Sequence, residues 1–336
     1  MAYTTIDNPE LYFQCKAYSG TGSSLALTFD GSENMQANLV WLKCRSHSGN
    51  HFLYDSVRGA NRSLVPNDTD SEDTSGESTN YLTSFDSDGI TLGGSYNNTN
   101  ASGRTYVAWA WKESATAGFD KVTYTGNGSA RTISHSLSAK PDFFVVKGRT
   151  FGEQWECYHT SLGATKCMQW DDNSAEADIA GRFNDTEPTT SVFTVGDADA
   201  VNKNTYTYVT YLWRSVQGFS KFGKYTGNNN ADGPFIYTGF RPAYIMMKSS
   251  STGGSATYSW SIFDTKRSSY NIQRSQLEAN TANAEDTGET ADVDILSNGF
   301  KPRYSPNDTN GNNTYIYMAF AEQPFVNSKG VPANAR

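Results

Sequence analysis

The chain of 336 residues carries 27 basic against 35 acidic side chains, a formal net charge of −8 at pI about 5.1, and only 18% charged residues in all. That balance excludes the basic face that sequence-independent nucleic-acid binding needs, and no apolar run approaches the roughly 18 residues of a membrane-spanning helix. In place of charge stand Ser, Thr, Asn, Gly and 13% aromatics, a mixture that favours pleated strands joined by many turns. An all-β protein is expected. The opening MAYTTIDNPELYFQ lacks the basic and apolar regions of a signal peptide. Cys15, Cys44, Cys157 and Cys167 form no CxxC pair and are read as buried or half-buried thiols.

Taken in chain order, the elements recur three times. KAYSGTG, TYTGNG and KYTGNN place Tyr18, Tyr124 and Tyr225 at intervals of 106 and 101 residues. An apolar strand ending in Lys follows: Leu39 to Lys43, Phe143 to Lys147, Tyr244 to Lys248. Next come Leu53-Tyr54-Asp55, Cys157-Tyr158-His159 and Ile262-Phe263-Asp264, then an acidic loop from Asn67, Asp171 and Asn280. In these loops Glu72, Glu176 and Glu285 lie five residues downstream, as in one capped helical turn or a solvated loop. A further strand is centred on Ile90, Phe193 and Phe300, and each unit closes with YVAWAWK, YVTYLWR or YIYMAFA.

Six landmarks in one order specify three tandem units of about 100 residues. The boundaries read as an arm at 1–10, units at 11–114, 115–217 and 218–326, and a tail at 327–336. Strands every 8–15 residues, with turn signals such as Asp88-Gly89 and Asn298-Gly299, predict an antiparallel β-sandwich of jelly-roll or lectin-like type for each unit. Side chains alternate across a strand. One face of the closing strands therefore carries Val107, Trp109 and Trp111, then Val209, Tyr211 and Trp213, then Ile316, Met318 and Phe320. This large apolar face is expected to line the core between two sheets of a sandwich.

No GxSxG, HExxH or Walker pattern is present, and His47, His51, His135 and His159 all lie in the first two units. His51 stands where the other units have Trp155 and Trp260, which marks a packing position; His159 stands where they have Asp55 and Asp264. The carboxylates gather in loops common to all units, so catalysis is not expected, and a glycan hydrolase is the enzymatic alternative. The acidic loops offer hard oxygen ligands without the twelve-residue calcium-loop spacing, so no cofactor is expected and calcium is the one metal left open. The candidate contact residues are Asp68, Asp70, Asp171, Asp172, Asn280 and Asn283 in those loops. Trp170, at a loop edge where the other units have Pro66 and Ala279, joins them, either as a stacking surface or as cover for its own core.

The segments MAYTTIDNPELYFQ, YTGNGSARTISHSLSAKPDFFVVKGR, SVFTVGDADAVNKNTYTYVTYLW, VDILSNGFKPR and NTYIYMAFAEQPF resemble tandem modules in virion proteins of marine tailed phages, from residue 1 to about 326. The resemblance implies lectin-like sandwiches in a tail-fibre or other structural protein of the virion. It implies other virion proteins as partners, and adsorption to a host-surface glycan or protein without catalysis. It carries no assigned functional residues. The chain ends soon after the third unit, which leaves a decorating or adaptor role as the alternative to a receptor-binding tip. Appendage proteins of this kind are multivalent assemblies, so a homo-oligomer, for a fibre a trimer, is expected unless the three units of one chain take that place.

Overall fold

A computed structural model describes residues 3–74, 81–289, 291–304 and 307–332. The first two residues of the expected arm and the last four of the tail lie outside it. The architecture is all-β, with several antiparallel sheets and only one-turn helices among the described residues.

Each sequence unit contains one main sheet. In the first, the strands run in the spatial order Phe13–Ser19, Thr105–Trp111, Leu39–Cys44, Phe52–Asp55. In the second, the order is Phe119–Thr125, Thr207–Trp213, Phe143–Gly148, Glu156–His159, extended by two short strands. In the third, it is Ser220–Thr226, Thr314–Pro324, Phe240–Ser249, Ser261–Asp264, extended by one. The closing strand is thus central each time, paired on one side with the opening strand and on the other with the strand that ends in Lys. A smaller sheet accompanies each: Leu25–Leu27 with Gly89–Leu92 and Leu82–Asp86; Arg131–Ser134 with Val192–Val195; Ile236–Tyr237 with Gly299–Pro302 and Val293–Leu296.

The expected location of the large apolar face needs correcting. Val107, Trp109, Trp111, Val209, Tyr211, Trp213, Ile316, Met318 and Phe320 do not line the core of a sandwich. They belong to one cluster to which all three main sheets contribute, so this face fills the centre of the molecule. The opposite face, with its smaller side chains, lines each unit's own core: Tyr106, Ala108 and Ala110 pack with Leu27 and Ile90 of the small sheet. Tyr208 and Leu212 do so with Ile133 and Phe193, and Tyr315, Tyr317 and Ala319 with Ile236 and Phe300. From the centre outward the layers are common core, main sheet, unit core, small sheet. Both faces of the closing strands are buried, so both are largely apolar, with Thr210 the polar exception in the second unit.

The turn that opens each unit is built the same way three times. Tyr18, Tyr124 and Tyr225 stack on Tyr106, Tyr208 and Tyr315 with ring centroids 5.2, 5.1 and 4.9 Å apart. Their hydroxyls donate to the carbonyls of Thr99, Val201 and Thr309. Buried Asn100, Asn202 and Asn310 then tie the closing loop to the opening turn through both ends of the amide. The glycine after the tyrosine is required by close approach: a Cβ on Gly20, Gly126 or Gly227 would lie 2.1–2.2 Å from a carbonyl oxygen of that loop. The N-terminal arm packs on the third unit and the tail: the Tyr3 hydroxyl donates to the Gly239 carbonyl, and Asp7 accepts from Ser328 of the tail. Ile6 enters the common core.

Candidate functional site

The acidic loops do not form helical turns; each one joins its unit to the next. The first residue of each loop caps a main-chain N–H of its own unit: Asn67 Oδ1 accepts from His51, Asp171 Oδ1 from Trp155 and Asn280 Oδ1 from Trp260, at 2.8–2.9 Å. The backbone of the loop and of the residues just before it then receives side chains from the following unit. Trp155 Nε1 donates to the carbonyls of Val65 and Asp68, and Trp260 Nε1 to that of Gln169. In the first unit His51 keeps this role. Trp41 Nε1 donates to His51 Nδ1 at 2.9 Å, so Nε2 carries the proton and donates to Glu278 and Thr281 of the third unit. Burial pushes the His51 pKa well down, which keeps the ring neutral.

The strand-ending lysines repeat the pattern. Lys147 Nζ donates to Thr69 of the first unit's loop, Lys248 to Ser174 of the second's, and Lys43 to Ala282 of the third's. Burial lowers all three lysines to about 8, and each ammonium meets carbonyl oxygens in place of water. Main-chain bonds from Glu72 to Arg149, Glu176 to Ser250 and Glu285 to Arg45 complete the three joints. The third joint returns to the first unit, so the three units close on one another.

Two joints carry an ionic clamp. Glu72 accepts from Arg58 of its own unit and, through two bonds of 3.0 and 3.1 Å, from Arg149 of the next. Glu285 accepts likewise from Arg267 and from Arg45 of the first unit. Burial pushes both carboxyls up, but the guanidinium bonds outweigh it and hold them below the ordinary glutamate range. At the joint between the second and third units, Leu162 and Ser250 stand where the arginines would be.

Behind these clamps, Asp55 accepts from Arg58 and from Tyr211 of the second unit, both at 2.5 Å. Asp264 accepts from Arg267 and from Trp109 of the first unit. In the third unit that closing-strand position is Met318, which has no N–H or O–H to offer an acid. The second unit accordingly has His159 rather than Asp, and its Nε2 meets the main-chain carbonyl of Tyr317. Asp and His at this position thus follow the partner each one faces.

The candidate residues are placed as follows. Trp170 is 1% exposed and packs edge-on against Trp41, Phe143 and Trp155 in the common core, so it is core cover and not a stacking surface. Asp171 and Asn280 are the caps described above, and burial raises the Asp171 carboxyl. Asp68 serves through its carbonyl, and Asp172 binds Asn173 and Ser174 of its own loop. Asn283 is exposed and donates to Glu278. Asp70, also exposed, lines an open cleft on the first unit with Phe52, Ser63, Tyr81 and Tyr96. The loops hold no helix, and among the described residues no three His, Cys, Asp or Glu side chains come together as a metal site. Sequence reasoning passed over Arg45, Arg58, Arg149 and Arg267. The usable signal was their registration with the repeats: Arg58 and Arg267 each follow the strand-end Asp by three residues, and Arg45 and Arg149 follow the Lys by two.

A family model described as a domain of unknown function, DUF7483, matches residues 8–324. The chain belongs to the DUF7483 family. The DUF7483 match runs through all three sequence units, so the family's domain corresponds to the whole closed body with its three joints, not to one unit of about 100 residues. No curated protein matches the chain.

Proposed function

We propose that this DUF7483 protein is a non-catalytic structural protein of a phage virion appendage, and that it displays its outward faces to a host surface. Supporting this, six of the histidine, lysine and carboxylate groups that would attract a catalytic reading are committed to joints. His51, Lys43, Lys147, Lys248, Glu72 and Glu285 all bind across from one unit to another. The result is a self-closed body whose small sheets and their loops face outward in three directions, which suits presentation and contact. In this reading the three tandem units of one chain, each a sandwich with its boundary near residues 114 and 217, take the place that three separate chains would fill in a fibre. The sequence likeness to virion proteins supplies the setting.

The experiment is competition for attachment. Purified full-length chain, fluorescently labelled, should stain host bacteria and slow adsorption of the intact phage in a dose-dependent manner. Absence of both effects, with the protein found enclosed by other virion subunits in the particle, contradicts the adsorption reading and favours an adaptor. Depolymerisation of host polysaccharide by the chain contradicts the non-catalytic part.

A further inference from the structure

The three units act as internal controls for one another, and one surface departs from the pattern. In the small sheets, Leu27, Ile133 and Ile236 are equivalent: each is buried and pairs with Ile90, Phe193 or Phe300. Their neighbours on either side point outward in every unit. The first unit places Ala26 and Thr28 there, the second Thr132 and Ser134, and the third Phe235 and Tyr237, which are 49% and 47% exposed. Isolated surface aromatics are ordinary. Here, however, the four exposed aromatic side chains among the described residues (Phe235, Tyr237, Tyr270 and Tyr304) all lie in the third unit.

The two rings sit on a formed surface. Tyr237 pairs across the sheet with Gly299, and Gly299 pairs with Leu296, so these three share a row on the outer face. Gly299 has no side chain to raise a wall there, and the Phe235 ring lies against it. Beyond Leu296 the row opens into a cleft of about 580 Å³, lined also by Ser269, Tyr270, Ser297 and Asn298. Tyr270 is 84% exposed at its far side. Tyr237 is held in place by Lys221 over its ring at 5.1 Å and by the Tyr3 hydroxyl at 3.2 Å. Three of the nearby cations are paired, Lys301 with Asp232, Arg303 with Asp294 and, in the lining of the cleft, Arg241 with Glu322, while Lys221 donates to the Tyr237 carbonyl.

We propose that this face of the third unit is a binding site for an uncharged glycan. Pre-positioned rings offer flat apolar area to the C–H faces of sugar rings. The hydroxyl and amide side chains along the cleft match a polyhydroxylated ligand. With Lys301, Arg303 and Arg241 held by carboxylates and Lys221 turned onto the Tyr237 carbonyl, the face recognises its ligand through rings, hydroxyls and amides rather than through charge. The assignment rests on the adsorption reading above and gives it a ligand class and an address.

The test uses biotinylated full-length protein on an array of neutral bacterial polysaccharides and oligosaccharides. The comparison is F235T/Y237S, which installs the side chains the second unit carries at the same positions and is expected to keep the wild-type melting temperature and circular dichroism. Wild type should bind at least one neutral glycan, with signal reduced about tenfold or more in F235T/Y237S and reduced in Y270S. Binding to no neutral glycan, to charged glycans alone, or equally by wild type and F235T/Y237S overturns the proposal. So does a self-association that the double substitution abolishes in sedimentation, which would make the face a subunit contact. Equal staining of host cells by wild type and F235T/Y237S would remove this site yet leave adsorption standing. Glycan binding without any cell staining would do the reverse.

Discussion

Replacing Glu72 with Gln keeps the shape of the side chain and removes the charge on which the joint between the first and second units depends. The carboxylate is 4% exposed and meets Arg58 Nη1 at 3.0 Å, Arg149 Nε at 3.0 Å and Nη2 at 3.1 Å, with Arg62 at 3.4 Å. Hydrogen bonds to charged groups contribute about 1.5–3 kcal/mol each, and removing one partner of a buried pair costs about 3–5 kcal/mol. Arg58 retains Asp55 as a counter-charge, so the expected loss is about 2–4 kcal/mol. With an unfolding entropy of about 2.1 cal/mol/K per residue, a cooperative chain of this length loses about 3–6 °C in Tm.

Acid gives the second readout. The folded pKa of Glu72 lies below its unfolded value, so the unfolded chain takes up the proton first as pH falls. The stabilisation is therefore complete above the ordinary glutamate range and is lost as pH drops through the folded pKa. The Tm gap between wild type and E72Q should be wide at pH 7 and should narrow progressively as pH falls below the ordinary glutamate range. E176Q in the second unit, where Leu162 and Ser250 replace the arginines, should cost within about 0.5 kcal/mol. Thermal melts across pH 3–7 decide the matter. E176Q costing as much as E72Q, or a gap that does not narrow in acid, would refute the clamp.

Three further outcomes are expected. H51W adds bulk against Trp41, whose ring centroid lies 5.5 Å away, and should cost about 1–3 kcal/mol. W41V/H51W recreates the second unit's Val145–Trp155 combination and should recover much of that cost in denaturant melts, whereas additive losses would contradict the equivalence. K147M leaves the Thr69 and Glu153 carbonyls without their donor and should cost about 1–3 kcal/mol. Because burial lowers the Lys147 pKa from 10.5 to about 8, the penalty of holding the charge is present at neutral pH and relieved as pH rises, so the wild-type advantage over K147M should widen between pH 8 and 10. All four cysteines are buried and unpaired, with burial raising Cys167 to about 12, so a thiol reagent should label none in the native protein and all four in denaturant.

Much of the fold was legible because the repeats multiplied weak signals. Strand positions, the opening tyrosine turn and the equivalence of His51 with Trp155 and Trp260 all followed from registration. What period-two alternation could not decide was which face of the closing strand meets its own unit. When both faces are buried, the pattern reads as a continuous apolar run, and the larger face was given to the sandwich when it fills the common centre. Trp170 was ambiguous for a related reason: its neighbours Trp41, Phe143 and Trp155 belong to two units, and the interval between repeats does not say how the units are arranged around one another. The acidic loops looked solvated because their partners lie in the next unit, and an ion pair such as Glu72–Arg149 or Glu285–Arg45 leaves no local pattern. Phe235 and Tyr237 were passed over in the sequence, because only the burial of Ile236 between them shows that they face outward.

That the three units share one core is tested most directly by differential scanning calorimetry of the full-length chain. A common core with three closed joints predicts a single transition with equal calorimetric and van't Hoff enthalpies. Three resolved transitions, or units that melt independently, would contradict it.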